Sequence, residues 1–474
     1  MLRFLHQGSR LCDGLSRREW LRVGGIGSLG FSLPQLFAQR AAAETKNATA
    51  RSESTSPGVM GAPKAKACIQ LFLWGGPGAQ ETWDPKPEAP VENRGEFRAI
   101  ATTLPGVQFS EHLPQLARRA HQYTIIRSQT HDGVNHGTSS YHMLTGHVHR
   151  TPGTLRHPEK SDVPNLGASA SRFLKHPTDL PACVHLPSIV NDGDGLPVPG
   201  QGAGLLGDRY EPFAVLGDLT QKNFRVPSLT LQDGVTRQRL DDRRDLQRII
   251  AARAEHLDQT SAVQAADASW LRALDLLGSS RTAAAFDLAR EPQALRERYG
   301  YHHFAQSLLM ARRLVEAGVP YVTVYWNAPR NTDNQSWDTH NNQHVRMRDH
   351  LLPPFDKALS AFLDDMQDRG LLDETLVTWW GEFGRTPKIN RNVGREHWGF
   401  CQSVGLAGGG VQRGLIYGTS TKDGGYPETL PVRPDDLSAT MLHLLGIDHK
   451  QHMHDLQGRP FPLSYGEPVH DILA

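Results

Sequence analysis

The stretch Thr375–Trp398, TLVTWWGEFGRTPKINRNVGREHW, decides the fold. Its first six residues are apolar, β-branched and aromatic, the composition of a buried strand. Gly381, Glu382, Phe383, Gly384 and Arg385 follow at once. A Gly- and Asn-rich loop leads on to Glu396, His397 and Trp398. In an open α/β sheet, ligands sit just past the carboxyl ends of strands. A carboxylate, a guanidinium and an imidazole therefore arrive together where chemistry is placed. An acid and a His ligate metals, and Arg grips an oxyanion through a bidentate fork. The plainer alternative is a charged strand-end loop in which Glu382 pairs with Arg385.

Outward from this stretch, strands alternate with helices. Residues 67–74 (ACIQLFLW) read as a strand ending in the turn Gly75-Gly76-Pro77-Gly78, with Glu81 and Asp84 beyond. A helix is predicted over 113–121 and a strand over 123–127. The loop His131-Asp132-Gly133-Val134-Asn135-His136 follows, then a helix from about Gly137 that closes at Thr145-Gly146. Further strands are predicted over 184–190, 321–326, 404–406 and 415–417. Helices are predicted over 301–317, 344–368 and 435–445. The loop Trp337-Asp338-Thr339-His340 joins two of these elements. The alternation predicts an α/β fold with a largely parallel sheet and helices on both faces. A Gly- and Pro-rich excursion and a charged helical segment form an insertion at about 191–300.

The 474 residues are 38% hydrophobic and 21% charged, a globular balance with length for a large core. A formal net charge of +1 gives no reason to expect a nucleic-acid partner. The 23 histidines, many in Gly- and Asn-rich loops, point to metal or proton-transfer chemistry. Cys12, Cys68, Cys183 and Cys401 have no CxxC spacing, which argues against a thiolate metal site or disulfide framework. Residues 1–43 read as a twin-arginine signal peptide. Ser16-Arg17-Arg18-Glu19-Trp20-Leu21 is followed by a Gly-rich apolar run and by Ala41-Ala42-Ala43 as a cleavage site. That run is too short and Gly-rich for a membrane span, and no other segment approaches one. Residues 44–66 read as a disordered linker and 67–474 as the folded domain. The expected location is periplasmic or otherwise exported.

Three strand-end loops carry acids or imidazoles, namely Glu81/Asp84, Asp338/His340 and Glu382/His397, and a fourth carries His131 and His136. Hard or borderline cations take this mixture of oxygen and nitrogen. The segments LWGGPGAQETWDPKP (73–87), WDTHNN (337–342), LLDETLVTWWGEFGRTPKIN (371–390) and GREHWG (394–399) resemble those of a twin-arginine-exported, sulfatase-like family. That family is labelled only as domain of unknown function 1501, within the alkaline phosphatase-like superfamily. The resemblance implies a three-layer sandwich and a divalent ion, zinc, calcium or manganese. It implies metal ligands at Asp338, with His340 or His344, and at Glu382 and His397. Glu81 and Asp84 are the acids nearest the first-strand ligand position, which Gly75-Gly76 occupies here. Phe383 stands where a second ligand is usual. His136 falls at the nucleophile position, as a ligand or base; the alternatives are a shifted hydroxyl (Thr138, Ser139 or Ser140) or no nucleophile at all. Arg385 is the expected oxyanion stabiliser. The implied activity is hydrolysis of a sulfate or phosphate ester of a small molecule or glycan. The rival is a non-catalytic, metal-binding member of the fold serving as an exported binding or assembly protein. A redox protein is disfavoured, since haem, Fe–S and dinucleotide motifs are missing.

Overall fold

A computed structural model of the chain describes residues 63–150, 157–192, 195–230, 273–326, 336–455 and 457–474, with scattered positions between 231 and 272. Ten strands matter for the site. They are β1 (Ala67–Leu73), β2 (Tyr123–Gln129), β3 (Cys183–Leu186), β4 (Phe213–Ala214) and β5 (Tyr321–Trp326). They continue as β6 (Thr375–Trp380), β7 (Gly384–Arg385), β8 (His397–Trp398), β9 (Gln402–Ala407) and β10 (Leu415–Tyr417). Eight of them form one sheet in the order β10-β2-β9-β6-β1-β5-β3-β4. All run parallel except β9, which is antiparallel to both β2 and β6. Strands β7 and β8 pair only with each other, as an antiparallel ribbon.

Side chains that alternate along a strand reach opposite faces, and both faces are covered here. Ile69, Leu71 and Leu73 of β1 join Val377, Trp379, Val322 and Val324 on one face. Helices α2 (His303–Ala317) and α3 (Leu352–Asp368) cover that face with Phe304, Leu308, Phe355, Leu359 and Phe362. Cys68 and Phe72 join Leu376, Trp380, Tyr321 and Tyr325 on the other. There α1 (His136–Thr145) contributes Met143 and Leu144, and α4 (Pro434–Leu444) contributes Leu437, Met441 and Leu442. Burying each such side chain stabilises the fold by about 1.5–3 kcal/mol.

The expected α/β class and largely parallel sheet are observed, with local differences. The helix expected over 344–368 is broken into Gln343–Arg346, a π turn over Met347–Leu351, and α3. Pro353 and Pro354 lack the N–H groups that would continue a regular ladder. The strand expected to reach residue 190 stops at Leu186. The signal peptide and most of the linker lie outside the described residues, but Pro63–Lys66 is packed. Lys64 and Ala65 donate backbone N–H bonds to Leu444 O at 3.1 and 2.9 Å, so the domain starts before residue 67. Within the span 191–300, expected as an insertion, Phe213–Ala214 supplies the edge strand of the sheet, and Phe286, Leu288 and Tyr299 enter the core. Most of its charged helical segment lies outside the described residues. Among the described residues no helix is long and apolar enough to cross a membrane.

The parallel arrangement places four connections at one edge. The carboxyl ends of β1, β2, β5 and β6 lead to Gly75, His136, Asp338 and Glu382 respectively.

Candidate metal centre

Asp338 stands at the middle of a cluster of imidazoles. His136 Nε2 lies 3.4 Å from its Oδ2. His340 Nε2 and His397 Nε2 lie 3.0 and 3.2 Å from its Oδ1, and 2.9 Å from each other. The ligand atoms of His136, Asp338 and His397 all lie within 4.8 Å of one another, a group able to hold a metal ion.

Each imidazole is committed through its other nitrogen. His136 Nδ1 lies 2.5 Å from Glu382 Oε1, His397 Nδ1 donates to Val134 O at 2.8 Å, and His340 Nδ1 meets Glu396 Oε2. Such outer partners fix the ring and leave Nε2 turned inward, as in metal-ligating histidines. Two Nε2 atoms 2.9 Å apart must share a single proton or both address a cation. The donor set therefore fits a divalent ion.

Local structure explains how these groups are held. His136 is the first residue of α1, whose N-cap Asn135 accepts from Thr138 N and whose C-cap Gly146 is left-handed at φ 74°. Glu382 is fully buried and accepts from Gly75 N at 2.9 and 3.1 Å. Gly75, at φ 109°, passes so close to the Asp338 backbone that a Cβ there would lie 2.2 Å from Asp338 N. The first strand thus contributes a backbone donor where the resemblance implies an acid. Arg385, fully buried, donates through Nε to Gly76 O at 3.0 Å and through Nη1 to Arg395 O at 3.1 Å. Its Nη2 donates to Gly75 O and to Asp338 Oδ1. All three of its nitrogens are committed, so it anchors Asp338 instead of presenting an open fork to an oxyanion. Phe383 stacks on the His397 ring at 4.4 Å between centroids and lies 5.0 Å from the His136 ring, lining the centre with an apolar surface.

The charges are strongly coupled. Burial works to raise the Asp338 carboxyl, but hydrogen bonds from His136 and His397 and the Arg385 charge hold it far below the usual range. Burial works to lower His136, but Asp338 and Glu382 raise it to about 9. The same two carboxylates that raise His136 favour positive charge at the centre of the cluster. His131 donates through Nε2 to Glu382 O at 2.8 Å, and burial lowers it to about 4.

The other expected residues are used elsewhere. The Glu81 carboxylate is held by Arg395 Nε and Nη2 at 2.7–3.2 Å and by Gln343 Nε2 at 2.9 Å. Asp84 is held by Lys86 at 3.0 Å, Arg127 at 3.3 Å and Ser420 Oγ at 2.5 Å. Cations and hydrogen-bond donors saturate both acids, and neither joins the cluster. Of the two candidate imidazoles near Asp338, His340 joins it, whereas His344 lies by Glu96 and Phe97. Glu382 pairs with His136 and not with Arg385. Ser139 and Ser140 are buried along α1, and no hydrogen bond joins them to Asp338 among the described residues. Sequence reasoning gave no role to Glu396, Val134 or Arg395. A carboxylate directly before His397 was the available signal for Glu396; a backbone acceptor such as Val134 O leaves none.

The chain belongs to the family described as Protein of unknown function (DUF1501), whose model matches residues 65–473. No curated protein matches the sequence. Remote likenesses exist among solved structures. One is the phosphonate monoester hydrolase SpPMH from Silicibacter pomeroyi, with 12% identity, a TM-score of 0.37, and coverage of 86% of this chain and 76% of that one. Another is the PsFucS1 sulfatase from Pseudoalteromonas sp., with 14% identity, a TM-score of 0.36, and coverage of 92% and 75%. A third is Ps i-CgsB in complex with k-i-k-neocarrahexaose, with 12% identity, a TM-score of 0.40, and coverage of 81% and 72%.

Proposed function

We propose that this chain is an exported, metal-dependent hydrolase of a phosphate or sulfate ester. The observation that supports it most is the convergence of three imidazole Nε2 atoms on the Asp338 carboxylate, each ring tied through Nδ1 to an oxygen. His136, Asp338 and His397 would hold the ion. A divalent cation bound there supplies Lewis acidity to an ester oxygen and lowers the pKa of water. Three nitrogens and a carboxylate suit zinc or manganese better than calcium, which takes six to eight oxygens.

The chain's own residues organise that chemistry. Glu382 and Val134 O orient His136 and His397, and Arg385 aims Asp338. With both ring nitrogens facing carboxylates, His136 is a metal ligand in this reading and not a covalent acceptor. This reading has water attack the ester directly, with no covalent enzyme intermediate. The twin-arginine motif at Arg17-Arg18 supports export as part of the same proposal.

One observation favours a second reading. Four side-chain donors around one point resemble a closed structural site more than an open catalytic one. The chain would then be a non-catalytic metal-binding protein serving in binding or assembly. Metal analysis of the purified full chain, together with turnover of p-nitrophenyl phosphate and p-nitrophenyl sulfate, separates the two. The hydrolase reading expects zinc or manganese at about one per chain and turnover that chelation abolishes. Metal-replete protein that turns over neither ester sinks it in favour of the second reading.

A further inference from the structure

His340 is held differently from the other two imidazoles. The Nδ1 partner of His136 is the fully buried Glu382, and that of His397 is a backbone carbonyl. The Nδ1 partner of His340 is Glu396, whose side chain is 53% exposed. His340 itself is 36% exposed, against 15% for His136 and 22% for His397. It is thus the most solvent-exposed imidazole of the cluster. Its Nε2 stands on the same Asp338 oxygen as His397 Nε2, while His136 Nε2 stands on the other.

The backbone beneath His340 is fixed. Asn390 Nδ2 donates to His340 O at 3.0 Å, and Arg395 N donates to Thr339 O at 3.0 Å. Asn342 N and Gln343 N donate to Asn392 O and Val393 O at 3.1 and 2.8 Å. Any movement of His340 is therefore a rotation of its side chain. The same Asn390 amide donates to Glu396 Oε1 at 2.6 Å, which steadies the carboxylate that steadies the ring.

A catalytic centre must keep one coordination position for water or substrate. We propose that His340 is an exchangeable cap: its imidazole covers that position at rest, latched by Glu396, and rotates out when an anionic oxygen ligand enters. The proposal rests on the metal-centre reading above. It reconciles four converging donors with a site that three residues can hold. It also assigns His340 and Glu396 to ligand entry, not to retention of the ion.

The test uses the full chain loaded with cobalt(II), whose visible absorption reports the donors around the ion. Azide is the small-anion probe and inorganic phosphate the second. His340→Ala should keep its cobalt and respond to azide with a shifted spectrum. Its azide affinity should be roughly tenfold tighter than wild type, the factor expected if the cap is displaced in about a tenth of molecules. Glu396→Ala, at a half-exposed position, should move azide affinity in the same direction by less. Loss of cobalt from His340→Ala would make His340 an integral ligand and overturn the cap. Equal azide affinity in wild type and His340→Ala would overturn it too. A wild-type chain that takes up no cobalt would instead remove the metal-centre reading, and the cap with it. Cobalt loading is measured before any anion is added, so the two failures are told apart.

Discussion

Glu382→Gln tests whether the buried carboxylate serves the metal or only the fold. The carboxylate accepts from Gly75 N at 2.9 and 3.1 Å and lies 2.5 Å from His136 Nδ1. A glutamine can place its carbonyl at the Oε1 position and keep the His136 and nearer Gly75 contacts. Its NH2 then faces only the longer Gly75 contact. What is lost is mainly the charge. A hydrogen bond to a charged group contributes about 1.5–3 kcal/mol and a neutral one about 0.5–1.5, a difference of about 1.5 kcal/mol. That corresponds to about a tenfold loss of metal affinity, the lower end of the 10–100-fold typical of such outer partners. The metal-free fold should change little, because removing a charge with no exposure to water offsets the weaker bonds. Competition of zinc against a chromophoric chelator gives the affinity, and denaturant unfolding of the metal-free chain gives the stability. Zinc affinity within about twofold of wild type would refute the outer-partner role. A metal-free chain destabilised by more than about 3 kcal/mol would show that Glu382 acts through the fold.

Three further outcomes are expected. Gly75→Ala should cost about 2–4 kcal/mol in denaturant unfolding, from overpacking on the Asp338 backbone and a left-handed φ, and a loss under about 0.5 kcal/mol would contradict that geometry. His131, His185 and His302 are lowered by burial to about 4, about 3 and about 4, against an ordinary value of 6.5, so they bind protons more readily when unfolded. Their contribution is full above pH 6.5 and is lost as pH falls through about 4, so denaturant midpoints should drop steadily over that window; a flat profile would count against neutral buried rings. Replacing Arg17 and Arg18 together by Lys should leave the precursor in the cytoplasm, and fractionation showing unchanged export would exclude the twin-arginine assignment.

Strands over 321–326, 375–380 and 415–417 are legible to the residue, because apolar runs are cut off sharply by glycines, prolines and polar loops. Helix α1 is similarly marked by Asn135 before it and Gly146 after it. Less legible is the reversal of β9, since a short apolar strand carries no sign of its direction. The edge strand Phe213–Ala214 is too short to stand out from its loop. At the site, the recurrence of acids and imidazoles after strands is visible in the sequence, and a parallel sheet necessarily gathers such loops at one edge. Their pairing is not visible, because it depends on which strands are neighbours. Glu382 meets His136, 246 positions away, across the ends of strands that only the sheet order brings near. Glu81 meets Arg395 over 314 positions for the same reason.

The close approach of Gly75 to Asp338 bears on how this chain can evolve. A single base change can turn a glycine codon into one for Asp. Here that substitution would drive a Cβ to 2.2 Å from a backbone nitrogen, in a conformation that side chains rarely adopt. Accommodating that side chain would require the Trp337–Asp338 backbone to shift. Position 75 therefore takes no side chain without moving the backbone that carries Asp338, so the end of the first strand is confined to a main-chain role in the cluster.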